Sequence, residues 1–355
     1  MTVTGPVEVV GTGLLGTSIA LACRAAGLEV LLSDVSDEHL RTASGLGAGR
    51  PRRPDDRPAL VVVAVPPDRL GEAVVDALGR SDAVVTDVGS VKSRPLAEVL
   101  DRVGPELAAR YVGSHPMAGS ERSGPLAASA ALFDGRPWAV VPHPGSLPAA
   151  VETVRGLALL CGAVVVELGP DEHDRAVART SHLPHLAAVL VAGRLRGAPP
   201  GDLALSGQGV RDVTRVAASD PRMWEQIVAA NSGAVLEVLG EVREQLDVLL
   251  DAVRTGERDR LRELLAHGVE GTRAIPGKHG GPALPVASVF VAVPDTPGEL
   301  ARLFADAGAA EVNIEDVRID HDPGRPVGLV ELVVAEAREP HLRDSLESRG
   351  WVTHR

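Results

Sequence analysis

The sequence predicts an α/β chain in three parts: an N-terminal domain on a parallel, doubly wound sheet, an all-helical segment, and a small C-terminal βαββαβ unit. Three observations predict this. Up to about residue 169, short β-branched runs alternate with helical segments; the runs are residues 7–10, 29–33, 60–65, 83–87, 111–113, 138–141 and 164–168. Most lack polar alternation, as strands buried on both faces do, and strands alternating with helices imply a parallel sheet. From Pro170 the strand-like runs stop and helical periodicity continues through Gly271. The last 70 residues return to strands and helices in the order βαββαβ.

Each part has its own boundary signals. The expected domains are residues 1–169, 170–275 and 286–355, with a linker at 276–285 where Gly and Pro dominate. The helical segment carries the apolar series Val235, Leu236, Leu239, Val242, Leu246, Leu249 and Leu250, which needs a partner surface, either a neighbouring helix or a second subunit. In the last part a strand at 286–293 leads to Asp295-Thr-Pro-Gly-Glu299, where Thr296 suits a helix cap and Pro297 its first position.

Gly11-Thr-Gly13-Leu14-Leu15-Gly16 follows the first strand directly and opens a helix. The first glycine permits a tight turn, the second a close approach of a pyrophosphate, and the third tight helix–strand packing; the helix amides then face the phosphates. The second strand ends at Asp34, whose carboxylate suits ribose hydroxyls and repels a 2′-phosphate. The pattern therefore predicts a Rossmann-type domain binding NAD rather than NADP. Arg50, Arg52, Arg53 and Arg57 are the cations that could argue otherwise, but they lie in a loop well past the strand end.

The composition narrows the class. With 36 Lys+Arg against 48 Asp+Glu among 355 residues, the net charge is −12, and no long basic stripe offers a surface to nucleic acid or an acidic membrane. The longest apolar run, residues 60–65, is far short of the roughly 20 residues of a membrane span. Two cysteines, Cys23 and Cys161, allow neither a disulfide framework nor a cysteine metal site. The expectation is a cytoplasmic protein.

The chemistry-bearing residues fall at predicted strand ends and on helices. Ser90 and Lys92 stand in Asp87-Val-Gly-Ser-Val-Lys92, and His115 in Gly113-Ser-His-Pro-Met-Ala-Gly-Ser-Glu121, each just past a strand, where open α/β sheets bind ligands. A single histidine there is usually a satisfied loop residue; the flanking motif and two more histidines shift the balance. Those are His182 and His185 in Ser181-His-Leu-Pro-His185, spaced for one helix face. The spacing is compatible with zinc, but only Glu172 or Asp174 could complete a site, so no metal is expected. Gly209-Val-Arg-Asp-Val-Thr-Arg215 offers a guanidinium for a carboxylate, with a carboxylate three residues away to orient it.

These five motifs, in this order, resemble the prephenate dehydrogenase family and its arogenate dehydrogenase relatives over nearly the whole chain, and the last 70 residues resemble an ACT regulatory module. The resemblance implies that His115 is the catalytic histidine at the ring C4 hydroxyl, with Ser90 helping to position that hydroxyl. It implies that Arg215 binds a substrate carboxylate and Asp212 orients Arg215. Ser181, His182 and His185 would line the pocket for substrate and nicotinamide, and Glu121 would gate the entrance. The implied reaction is NAD-dependent oxidative decarboxylation of prephenate to 4-hydroxyphenylpyruvate, in tyrosine biosynthesis. Arogenate, or the 4-amino analogue of prephenate, stands as an alternative substrate, and an inactive NAD-binding amino-acid sensor as an alternative class. The resemblance further implies a homodimer with residues 235–250 at its interface, and an amino-acid effector, by pathway logic tyrosine, at the ACT module.

Overall fold

The computed structural model describes residues 3–118, 123–275, 285–321 and 327–354. They form two compact units, Met1–Leu250 and Asp251–Arg355.

The first unit is built on an eight-stranded sheet: β1 (Val7–Val10), β2 (Val30–Ser33), β3 (Arg50–Pro51), β4 (Leu60–Val63), β5 (Val84–Asp87), β6 (Tyr111–Pro116), β7 (Pro137–Val141) and β8 (Val164–Glu167). Their order across the sheet is β3-β2-β1-β4-β5-β6-β7-β8. The first six are parallel, and the order reverses between β1 and β4, the position where such sheets bind dinucleotides. β4 reads Leu-Val-Val-Val with every residue buried, as a central parallel strand requires. Valines and leucines of β1, β2 and β4 pack on Ile19, Ala20 and Cys23 of the helix Leu14–Ala25, whose small residues let it lie close to the sheet.

Four features depart from the expected strands. The two-residue β3 escaped a search for apolar runs because Arg50-Pro51 carries none. β7 runs antiparallel to β6, and β8 follows β7, so the sheet is mixed at this edge. Residue pattern fixes which face a strand buries but not its direction, so the reversal was invisible. β8 is also largely exposed rather than buried on both faces, because it is the edge. Finally, β6 continues to Pro116, which places His115 within a buried strand and not beyond one.

The helices of 170–250 pack with the sheet domain in one unit. The helix Pro170–Val177 passes through a π-helical turn, Ala178–His182, into the helix Leu183–Leu195. Val235 and Val238 of the long helix Ser232–Thr255 pack against Ala178, Leu183 and Leu186. The periodic series sorts into two faces: Val235 turns inward, while Leu236, Leu246 and Leu250 are 70%, 50% and 59% exposed.

The second unit contains β9 (Val286–Pro294), β10 (Ile314–His321), β11 (Val327–Ala335) and β12 (Val352–His354), with helices Glu299–Ala309 and Glu339–Ser348. The order β10-β11-β9-β12, all antiparallel pairs, gives the expected ferredoxin-like βαββαβ plan. The first helix starts later than its Thr-Pro signal suggested. Glu299 N–H bonds the Thr296 carbonyl in a turn, and Gly298, at φ +96°, is the residue before the helix. Of the linker expected at 276–285, residues 276–284 lie outside the described residues.

One polar cluster anchors the sheet away from the site. The fully buried Glu8 on β1 accepts both terminal nitrogens of Arg80 (2.8 and 2.9 Å) and the Ser33 hydroxyl (2.9 Å), and Arg52 Nε lies 3.2 Å away. Removing the carboxylate leaves two guanidinium groups without it. Glu8→Ala should therefore lower unfolding free energy by about 3 kcal/mol in urea titrations; a loss under about 1 kcal/mol would mean that water replaces the carboxylate.

Candidate active site

The loop after β1 has the shape a pyrophosphate needs. Gly11 has φ +93°, and a side chain on it would meet the Ala64 carbonyl oxygen at 2.3 Å. A Cβ on Gly16 would lie 1.9 Å from the Gly11 carbonyl oxygen. At Gly13 the same test meets nothing within 4 Å, so this glycine faces open space in front of the helix Leu14–Ala25, whose first-turn amides point the same way. Two glycines thus serve the fold and the third leaves room for a ligand. Leu14 and Leu15 open that helix, half-buried.

Asp34, just past β2, is held in place by the Thr12 amide (2.6 Å), the Thr12 hydroxyl (2.7 Å) and the Ser36 amide (2.7 Å). A carboxylate has about four acceptor sites, so capacity remains for a ribose hydroxyl. Three of the four arginines beyond have other partners. Arg50 pairs with Asp56 (2.6 Å) and Glu29 (2.8 Å), Arg52 lies against Glu8, and Arg57 donates to the Pro54 carbonyl.

The chemical centre lies at the C-terminal edge of β5 and β6. Asp87, fully buried, accepts the Tyr111 hydroxyl (2.7 Å), the Gly89 amide (2.8 Å) and the Lys92 ammonium. Lys92 also donates to the Ser114 carbonyl at 2.7 Å, which ties the loop 87–92 to the strand carrying His115. Burial pushes Lys92 below the usual lysine range against the pull of Asp87, and pushes the Tyr111 phenol well above its own. Ser90 stands half-buried in this loop, and no hydrogen bond joins it to His115.

His115 Nδ1 lies 3.0 Å from His173 Nε2, and His173 Nδ1 lies 2.8 Å from Asp174 Oδ1. Asp174 also accepts the Lys92 amide (2.8 Å) and the Ser93 amide (2.9 Å). Burial holds His115 well below the ordinary histidine pKa, and His173, Lys92 and His182 add to that shift. His115 is therefore a neutral imidazole at physiological pH.

The Ser181–His185 motif is bent by the π-helical turn, an irregularity frequent at functional sites. Both histidines meet Trp224: His185 stacks on it at 3.5 Å between centroids, 3° from parallel, and His182 meets it edge-on at 6.1 Å. Asn231 Nδ2 donates to the Asp174 backbone carbonyl (2.8 Å) and reaches His182 Nδ1 (3.2 Å). An amide nitrogen can only donate, so His182 Nδ1 is the acceptor and Nε2 carries the proton. Burial lowers the His182 pKa to about 4. Burial also lowers His185, countered by the carbonyl of Val216 in the turn Arg215–Ala218, which brings the segment bearing Arg215 beside this helix. The Nδ1 of His185 and the indole Nε1 of Trp224 are buried without a protein partner.

The structure thus gathers His115, His182 and Lys92 into one cluster and sets His185 beside it. Asp212 is exposed and takes the Gln208 amide at 2.8 Å rather than pairing with Arg215. Ser181 is half-buried in the π-helical turn, and Glu121 lies outside the described residues. His173, Trp224 and Asn231 were missed from sequence. For His173 the signal was Glu172-His-Asp174, eight residues ahead of the Ser-His-Leu-Pro-His motif. Among the described residues, no group of three or more His, Cys, Asp or Glu side chains is arranged to hold a metal ion, and no helix is long and apolar enough to cross a membrane.

A glycine loop at the switch point and a buried neutral histidine on the same sheet are features of a nucleotide-dependent dehydrogenase. The family model for the nucleotide-binding domain of prephenate dehydrogenase matches residues 19–167, and that for its dimerization domain residues 169–267. A probable prephenate dehydrogenase of Streptomyces niveus, NovF, is 38% identical over 97% of this chain and 98% of its own. The prephenate dehydrogenase of Bacillus subtilis is 30% identical over 87% of this chain and 86% of its own. The crystal structure of prephenate dehydrogenase from A. aeolicus in complex with hydroxyphenyl propionate and NAD+ has a TM-score of 0.69 at 28% identity, covering 77% of this chain and 97% of that one. The chain belongs to the prephenate dehydrogenase family and is an NAD-dependent oxidoreductase. The family match begins at residue 19, so the assignment of the glycine loop rests on its geometry.

The glycine geometry separates two variants. Gly13→Ala should leave the melting temperature within about 2 °C and weaken NAD binding at least tenfold by titration. Gly16→Ala should lower the melting temperature by at least about 5 °C, since the backbone must move. Equal effects of the two would contradict the division of roles.

Proposed function

We propose that the enzyme oxidises prephenate to 4-hydroxyphenylpyruvate with loss of carbon dioxide, in tyrosine biosynthesis. The observation that carries this reading is His115: a buried imidazole held neutral on β6, in the same sheet whose first strand leads into the glycine loop. NAD, held along Gly11, Gly13, Leu14, Leu15, Gly16 and Asp34, supplies the hydride acceptor at the ring C4.

His115 takes the proton of the C4 hydroxyl as that carbon is oxidised, a general-base role worth roughly 10²–10⁴-fold. Loss of the ring carboxylate as carbon dioxide restores aromaticity, and the proton returns from His115 to the phenol oxygen. No net proton is released, so a base that only lends its site suffices. We assign Arg215 to a substrate carboxylate, with Trp224 Nε1 as a candidate donor to a substrate oxygen and His185 Nδ1 as a candidate acceptor from a substrate hydroxyl. A buried polar atom without a partner costs about 1–3 kcal/mol, and a ligand that satisfies it recovers that free energy. Ser90, Ser181 and His182 complete the proposed pocket wall.

We assign residues 1–169 to cofactor binding, 170–275 to substrate binding and dimerisation, and 286–355 to an ACT-type regulatory domain, joined by a linker at 276–285. The exposed Leu236, Leu246 and Leu250 support a homodimer through the long helix, since so continuous an apolar stripe is unfavourable in water. Tyrosine is the proposed effector at the C-terminal domain.

The test is NADH formation by the purified protein on prephenate and on arogenate, each with NAD and NADP. Fast turnover of prephenate with NAD supports the proposal; turnover of arogenate alone would reassign the substrate. His115→Asn should lower kcat at least about 100-fold with NAD affinity nearly unchanged; near-normal turnover would remove His115 from the mechanism. A base must be neutral, and the His115 pKa lies well below 6.5. The acid-side fall of kcat should therefore come below pH 6.5, and a fall centred at or above 6.5 would contradict the burial argument. Sedimentation velocity at micromolar concentration should give a dimer, and a stable monomer would rule out the proposed interface.

A further inference from the structure

His173 and Asp174 are buried, adjacent in sequence, and unused by the mechanism as described above. We propose that they form a positioning pair that keeps the proton of His115 on Nδ1 and so leaves Nε2 as the basic atom. This inference rests on the assignment of His115 as the base and deepens it.

The assignment follows from counting donors. Asp174 accepts two backbone amides, from Lys92 and Ser93, at 2.8 and 2.9 Å. Those bonds and His173 outweigh the cost of burial and hold the carboxyl below its usual range, so it is ionised and can only accept. His173 Nδ1, 2.8 Å from Asp174 Oδ1, must then be the donor. With His173 taken as the neutral imidazole, its other nitrogen carries a lone pair, so His173 Nε2 accepts across 3.0 Å from His115 Nδ1–H. One tautomer of His115 remains, with Nε2 free of hydrogen.

Of the other titratable groups facing His115, the buried Lys92, paired with Asp87, disfavours a further positive charge there, while His182, with Nδ1 engaged by Asn231, is neutral at physiological pH. When His115 takes the substrate proton on Nε2, the imidazolium keeps its Nδ1–H bond to His173, and Asp174 lies behind His173 to offset the charge. Both N–H bonds of that imidazolium stay accounted for until the proton goes back to the phenol oxygen. The arrangement has the logic of a base oriented by a third group, here acting through an intervening ring.

The tautomer can be read without any substrate. Two-bond 1H–15N correlation spectra of the full-length protein, labelled with 15N-histidine, should show His115 with Nδ1 protonated and Nε2 bare at pH 7.5, its signals identified by their loss in His115→Asn. The opposite tautomer in the wild type would overturn the proposal. Kinetics supply the second arm. His173→Leu removes the acceptor for Nδ1–H and should lower kcat roughly 100-fold, with KM and NAD affinity within about twofold. His173→Gln keeps a carbonyl oxygen able to accept and should recover at least a tenth of wild-type kcat. Unchanged kcat in His173→Leu, or equal losses in both variants, would also overturn it. Should the wild-type enzyme fail to turn over prephenate at all, the reaction assignment fails while the spectrum still decides the tautomer.

Discussion

The site depends on one buried carboxylate, that of Asp174. Its two oxygens cap the amides of Lys92 and Ser93 at the start of the helix Ser93–Arg102, and one of them also meets His173. Its backbone carbonyl takes Asn231, which in turn engages His182. A single residue thereby joins the loop after β5, the histidine relay on β6 and the N-terminal end of the long helix. Burying a charge at this depth is costly unless it is well hydrogen-bonded, and here two amides and an imidazole take three of about four acceptor sites.

A second buried charge, the Asp87–Lys92 pair, sets the height of the strand that carries His115. Lys92 bridges the Asp87 carboxylate and the Ser114 carbonyl, so His115, the proposed base, follows directly from a backbone atom held by a buried ammonium. The two networks meet at Lys92, whose amide serves Asp174 and whose side chain serves Asp87. Their combined effect is a buried, neutral histidine on β6 of the sheet that also carries the glycine loop. The polar networks thus converge on the proposed site, while Val and Leu side chains fill the core of the sheet.

Much of this was legible in the sequence because the signals are local. The glycine loop, Asp34 and the strand–helix alternation depend on neighbours within a few residues, and β4 shows its burial in its composition alone. The βαββαβ tail was legible for the same reason. What was not legible depends on tertiary pairing. Strand composition carries no direction, so the reversal at β7 was missed, and with it the extension of β6 that puts His115 inside a strand. His173 meets His115 across 58 residues of chain, and its local signal, Glu172-His-Asp174, does not show that partner. Asp212 looked like the partner of Arg215 by spacing, yet the helix Gln208–Thr214 turns it toward Gln208 four residues back. The π-helical turn at Ala178–His182 was likewise invisible to spacing, and so was Trp224, which meets both His182 and His185 from another helix.

The most direct test of the account is a crystal structure of the enzyme with NAD and 4-hydroxyphenylpyruvate bound together. The account predicts the phenol oxygen within about 2.6–3.2 Å of His115 Nε2, with His173 still bonded to Nδ1 and the pyrophosphate against Gly13. A phenol oxygen directed away from His115, or a His115 ring turned to present Nδ1 to it, would contradict the central claim.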